Sequence, residues 1–273
     1  MTQRVITAVG LILLAIALMY FGGAVMAVAA MVCICFAVHE EYHALSLAGH
    51  RPVSWPTWVG LTVSIPLTLL LGIGVVVPIL MAVLLVTAIC VIFREEPKLE
   101  DILMSVLPLT TVVLPGMCII ALAVVQPKEL QVTLFAILFG VPVLCDTMAF
   151  LVGSRVRGPK LCPAVSPNKT VSGAIAGMVG ALLAVLLVGV TAWCCSDAAI
   201  RLLLPTWWEY LLLGLLGGVV SQTGDLFASM VKRHSGIKDF SHLFPGHGGM
   251  LDRVDSILFM SVLMFCYRLL TAL

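Results

Sequence analysis

Val171–Cys194 reads VSGAIAGMVGALLAVLLVGVTAWC, 24 residues without an Asp, Glu, Lys or Arg. About 20 apolar residues cross the hydrocarbon core of a bilayer as a helix, so this stretch is expected to be a transmembrane helix. Similar runs flank it. Spans are predicted at 130–152, 105–126, 74–93, 55–72, 22–38 and 5–21 upstream, and at 207–228 and 251–271 downstream. The breaks at Gly22-Gly23 and at Gly72-Ile73-Gly74 are the weakest, and without them seven or eight spans remain. Of the 273 residues 61% are hydrophobic and 11% charged, with a mean hydropathy of +1.15, whereas a soluble domain is about a quarter charged. All five tryptophans, Trp55, Trp58, Trp193, Trp207 and Trp208, fall at span ends, where an interfacial belt places them. The predicted fold class is an all-α polytopic integral membrane protein of about nine transmembrane helices.

The basic residues orient it. With nine spans, Arg4, Arg51, Arg94, Lys98, Arg155, Arg157, Lys160, Lys169, Lys232, Arg233, Lys238 and Arg253 share one side, and only Lys128, Arg201 and Arg268 the other. The positive-inside rule puts the first group and the N-terminus in the cytoplasm. In a bacterium the membrane would be the inner one. The start at Met1–Arg4 resembles a signal peptide, but the apolar run continues to Val38, so an uncleaved first span is expected. A net charge of +1 gives no global field for nucleic acid. The nine cysteines form no CxxC pair and are read as small buried hydrophobes. Residues 1–128 are expected to be N-terminal membrane helices. Residues 129–273 are expected to be a catalytic membrane region with cytoplasmic loops at 153–170 and 229–250. Gly173-x-x-x-Gly177 and Gly214-x-x-x-Gly218 allow close helix packing, expected within the chain, with a homodimer seam as the alternative.

Polar content concentrates in Ser221–Asp255, SQTGDLFASMVKRHSGIKDFSHLFPGHGGMLDRVD. Carboxylates near span ends need partners. Ser221 and Asp225 are four apart, Asp252 and Asp255 three apart, so each pair shares one helix face. Such oxygen-rich ligands suit a hard cation such as magnesium; the alternative is an ion-pair cluster with Lys232, Arg233 and Arg253. Pro245-Gly246-His247-Gly248-Gly249, just before a helix, can converge N–H groups on an anion, and Lys232, Arg233 and Lys238 nearby favour phosphate. Upstream, Asp146 lies inside a span. The following loop carries Arg155, Arg157, Lys160 and then Ser166-Pro167-Asn168-Lys169-Thr170. Arg155 and Arg157 can serve anionic lipid, while Lys169, beside a helix start, is the better candidate for a specific phosphate.

The 27-residue run from Ser229 to Asp255 resembles the signature of the phosphatidate cytidylyltransferases, also called CDP-diacylglycerol synthases, through Val231-Lys232-Arg233, Lys238-Asp239, Ser241, Phe244-Pro245, His247-Gly248-Gly249-Met250 and Asp252-Arg253-Val254-Asp255. Ser221-Gln222-x-Gly224-Asp225, Asp146-Thr147-x-Ala149-Phe150 and Ser166-Pro167-x-Lys169-Thr170 are similar too. Val171-Ser172 departs from the Trp-Glu that family often has there. The resemblance implies transfer of the cytidylyl group of CTP to phosphatidate at the membrane surface, with Mg2+ and a second cation. It implies Ser221, Asp225, Asp252 and Asp255 around metal, and Asp225, Lys232, Arg233, Lys238, Asp239, His247 and Arg253 in catalysis. Asp146, Ser166, Lys169, Thr170, Gly248 and Gly249 would bind substrate. A lipid phosphate is already an anion, so no protein nucleophile is required. Rival classes are a lipid kinase using CTP, such as a polyprenol kinase, and an ion-coupled transporter. His39-Glu40-Glu41-Tyr42-His43 also fits the HExxH zinc-protease pattern; it is read here as an interfacial polar cap on the second span.

Overall fold

The computed structural model describes residues 2–156, 158–244, 246 and 248–272, with the backbone alone at 2–9, 11, 12, 65, 69, 73 and 272. Met1, Arg157, Pro245, His247 and Leu273 lie outside the described residues. The helices are α1 (Thr2–Phe21), α2 (Gly23–Leu47), α3 (Trp55–Leu71), α4 (Val76–Ile92), α5 (Leu99–Pro108), α6 (Leu114–Ala123), α7 (Lys128–Val156), α8 (Val171–Cys195), the short α9 (Ala198–Arg201), α10 (Trp207–His234) and α11 (Leu251–Ala272). Among the described residues six stretches are long and apolar enough to cross a membrane: Gly23–Leu47, Leu99–Ala123, Lys128–Val156, Val171–Cys195, Trp207–His234 and Leu251–Thr271.

Both doubtful breaks are present. Gly22 and Gly23, at φ +59° and +48°, separate α1 from α2, and Gly72, at φ +86°, ends α3, backbone that a residue with a Cβ rarely adopts. Two predicted ends are too short. The span drawn to 38 continues as helix to Leu47, and the one drawn to 228 continues to His234. Between α5 and α6 the chain makes a π-helical turn, Leu109–Val113, directly after Pro108; a mid-helix proline removes one backbone donor. The loop after α7 holds an unanticipated antiparallel hairpin, β1 (Lys160–Cys162) and β2 (Ser166–Thr170).

The core lies along α6, α7 and the facing sides of α2, α10 and α11, where Leu122, Leu134, Ile137, Leu138 and Met260 are fully buried. Large apolar residues also face outward, such as Leu70 and Phe93, as a hydrocarbon solvent permits. The glycine patterns serve packing within the chain. A Cβ on Gly173 would lie 2.9 Å from the Ala149 carbonyl of α7, and one on Gly218 2.8 Å from Met178 of α8. The cysteine reading is corrected in part. All nine are free, but only Cys118 and Cys145 are buried, and Cys194, Cys195 and Cys266 are exposed.

Candidate active site

Two carboxylate centres form where the polar ends of α2, α7, α8, α10 and α11 meet. The first is Asp252, in the opening turn of α11. Its Oδ1 takes Lys232 Nζ of α10 at 2.6 Å, and its Oδ2 accepts the Phe240 and Gly249 backbone N–H groups, each at 2.9 Å. The side chain is 4% exposed. Asp252 thus pairs with Lys232 in this structure, the contact that the ion-pair alternative expects.

The chain before α11 is pinned by a residue the sequence reading did not assign. Glu40 of α2 accepts from Ser241 Oγ at 2.6 Å, Met250 N at 2.9 Å and Leu251 N at 2.7 Å. Of the expected anion nest, Pro245 and His247 lie outside the described residues. The amides of Gly249, Met250 and Leu251 are satisfied by protein carboxylates, because a helix N-terminus draws whatever anion is nearest. Gly248, at φ +83°, and Gly249 are required for close approach. A Cβ would lie 2.8 Å from Asp252 Oδ2 at the first and 2.6 Å from the Glu40 carboxylate at the second. The reading of His39–His43 as an interfacial cap is overturned as well. Glu40 and Glu41 are 4% and 1% exposed, and Thr111 of the π turn donates to Glu41 at 2.8 Å. His39 and His43 are exposed. Glu40, the general base of a zinc protease, points away to α11. The signal for both acids was two adjacent carboxylates inside an apolar helix, which marks a site by default.

The second centre is open. Lys169, at the end of β2, meets Asp225 Oδ2 of α10 at 2.5 Å, with side chains 27% and 28% exposed. They line a cavity of about 500 Å3 together with Asp146, Asn168, Thr170 and Gln222. Three separate sequence motifs thus share one wall. Asp146, Asp225 and Asp255 lie near enough to feel one another's charge. Ser221, one turn before Asp225, is fully buried and its hydroxyl has no hydrogen-bond partner. That orphaned oxygen and the carboxylates form an all-oxygen donor set of the kind magnesium takes. No three of the described His, Cys, Asp and Glu residues are gathered at metal-ligand spacing. Magnesium commonly takes only one or two carboxylates and completes its shell with water and substrate phosphate, so the donor chemistry fits.

The predicted residues also make other contacts. Thr170 caps α8 by accepting the Gly173 N–H at 3.1 Å. Arg233 ties α10 to the hairpin through the Val165 carbonyl at 3.4 Å. Ser166 sits in β2, paired in register with Cys162. Lys238 and Asp239 are exposed, without an ion-pair partner among the described residues. Arg253 is exposed on α11, and its charge reaches Asp146. Asp255 accepts from the Ser256 N–H at 2.6 Å. His247 lies outside the described residues.

The apolar helices, with a cavity among them lined by Asp146, Lys169 and Asp225, define a helical membrane protein. Within that class the chain belongs to the Cytidylyltransferase family, whose profile matches residues 2–271. It is 42% identical over 135 residues to a phosphatidate cytidylyltransferase of Brucella abortus, covering 50% of this chain and 46% of that protein. The similarity to the enzyme of that name from Synechocystis sp. is 41% over 147 residues, 53% of this chain and 45% of the relative. For the Bacillus subtilis protein it is 43% over 126 residues, 46% and 42%. The chain thus spans about half the length of the curated relatives it matches.

Proposed function

We propose that the protein transfers the cytidylyl group of CTP to phosphatidate, giving CDP-diacylglycerol and pyrophosphate. The observation that carries this reading is the Lys169–Asp225 pair on the cavity wall beside Asp146. An oxygen of the lipid phosphate attacks the α-phosphorus of CTP. The bond from that phosphorus to the bridging oxygen of the β-phosphate breaks, and pyrophosphate leaves with the electron pair. The work of the protein is positioning and charge stabilisation. Lys169 and Arg253 balance phosphate charge at the cavity, and Lys232, Arg233, Lys238 and Asp239 shape its approach. Asp225 with Ser221, Asp146 and Asp255 would hold Mg2+, with room in the donor set for a second cation. Bound there, magnesium supplies charge neutralisation on the phosphates. Cys145 is buried and Ser229 is 9% exposed, so neither is placed as a nucleophile.

The reading includes nine membrane spans, with the N-terminus and the loops at 153–170 and 229–250 in the cytoplasm, and residues 129–273 carrying the chemistry against a buttress of residues 1–128. Any homodimer contact is assigned to faces other than the four packing glycines. Single cysteines at positions 160 and 200 of a cysteine-free variant should label from opposite sides; labelling from one side sinks this topology. For the reaction, purified protein is incubated with labelled CTP, phosphatidate and magnesium. CDP-diacylglycerol with pyrophosphate is the expected pair of products. CDP with a phosphorylated lipid would make it a kinase, and solute flux in sealed vesicles without nucleotide turnover would make it a transporter.

A further inference from the structure

We propose that His39 and His43 of α2 form an exchangeable two-histidine site for a divalent transition-metal ion of the zinc class, separate from cytidylyl transfer. The two residues stand four apart, just past the apolar run that ends at Val38. On a helix that spacing puts them on one face with Cβ atoms about 5–6 Å apart. One ion can then take a nitrogen from each ring at roughly 2.0–2.1 Å. Both residues are exposed, and both line one cavity of about 240 Å3 with Tyr42, Ser46, Ser54 and Trp58. No lysine or arginine is among its described lining residues, so no fixed positive charge in the wall opposes a cation.

Three observations point to a metal. First, the turn between the ligands is held rigid. Glu40, Glu41 and Tyr42 are all buried, and each is tied to a different part of the chain. Glu40 holds the start of α11, and Glu41 accepts from Thr111. Tyr42 donates to the Ser105 carbonyl at 2.8 Å, and its hydroxyl meets that of Thr57 at 2.6 Å. The two imidazoles are therefore held out together, which lowers the ordering cost of binding. Second, their nitrogens are free. Among the described residues the hydrogen-bonded histidine rings are those of His50 and His234, which meet at 2.8 Å, and neither His39 nor His43 makes an ion pair. Third, a metal-bound water has a partner. Ser46 Oγ donates to the Tyr42 carbonyl at 2.9 Å, so its lone pairs can accept from that water. Imidazole suits zinc, copper or nickel, while oxygen ligands suit magnesium; this site and the carboxylates beside Asp225 sort the two kinds of ion. Structural zinc takes four protein ligands, so an ion held by two exchanges with solvent. Glu40 is committed to α11, so it is not placed to activate a water on the ion, and the site binds without hydrolysing peptides.

Zinc titrated calorimetrically into tag-free, metal-free protein in detergent tests this. One ion per chain should bind, and excess magnesium should not displace it. His39→Ala and His43→Ala should each weaken binding by at least about 100-fold, since losing even an outer-shell partner costs roughly 10–100-fold. His50→Ala should bind as the wild type does. Both substituted rings are exposed, so the metal-free melting midpoint should not move. A second arm needs no variant. In the wild type, zinc should protect His39 and His43 from acylation by diethyl pyrocarbonate, read by peptide mass. Absence of zinc binding, binding kept in both variants or lost with His50, or acylation of both rings undiminished by zinc would overturn the proposal. Zinc that stays through purification without being added would require a third protein ligand, and it would overturn the two-histidine site as well.

Discussion

Lys232 and Asp252 meet at 2.6 Å, Lys169 and Asp225 at 2.5 Å, and the residues around them are opposite in kind. Asp252 is 4% exposed, with both oxygens taken by a lysine and two backbone amides. Asp225 is 28% exposed, has one lysine on one oxygen and faces a cavity. A saturated buried carboxylate holds a fold in place. A half-satisfied carboxylate at a cavity has bonding capacity left for something that arrives. Residue type and pair distance do not separate the two roles; the count of remaining partners does.

The comparison can be broken by exchanging the losses. Asp252→Ala should have the largest effect, a stability loss of about 3–5 kcal/mol, because Lys232 is left buried without a counter-charge. It should appear as a lowered melting midpoint in detergent. A variant with wild-type melting and no activity would move Asp252 into the catalytic set. Asp225→Asn should keep that midpoint and lose activity by about 100-fold, near 2.7 kcal/mol of barrier, measured as cytidylyl transfer per folded molecule. Glu40→Gln sharpens the contrast. One amide oxygen replaces two carboxylate oxygens at the α11 N-terminus, and about 1–2 kcal/mol of stability should go, with activity falling only as folded protein is lost. The smallest effect belongs to His43→Ala. It is exposed and does not line the Lys169–Asp225 cavity, so transfer should stay near wild type and zinc chelators that spare magnesium should not inhibit. Zinc retained stoichiometrically and lost with His43 would reinstate the metal motif.

The helices were legible because a bilayer demands a length of apolar chain, and α8 came out within one residue of its quoted stretch. The ends of α2 and α10 were not, because both helices continue on polar residues whose partners lie elsewhere in the chain. Glu40 and Glu41 look like surface residues until Ser241, Met250, Leu251 and Thr111 are brought to them. The hairpin 160–170 left no trace either. Strands of three and five residues, one with a proline, show no alternation to read. Of the candidate site, the union of Asp146, Lys169 and Asp225 follows the motifs. The loss of the Gly249 amide to Asp252 could not be read, since spacing shows which N–H groups converge but not which anion reaches them first.

The grip of Glu40 on Leu251 joins residues 211 apart, and it has a consequence for biogenesis. A ribosome adding 5–20 residues per second needs roughly 10 to 40 seconds to pass from one to the other. Through that interval α2 is already made, and its carboxylate has none of the donors from 241–251 that it finally holds. A nascent chain at that stage displays an uncompensated acid in an apolar helix, a mark by which membrane quality control could distinguish an unfinished molecule from a finished one. Docking of α11 both positions Asp252 and erases that mark, so the event that completes the site is also the one that conceals the acid.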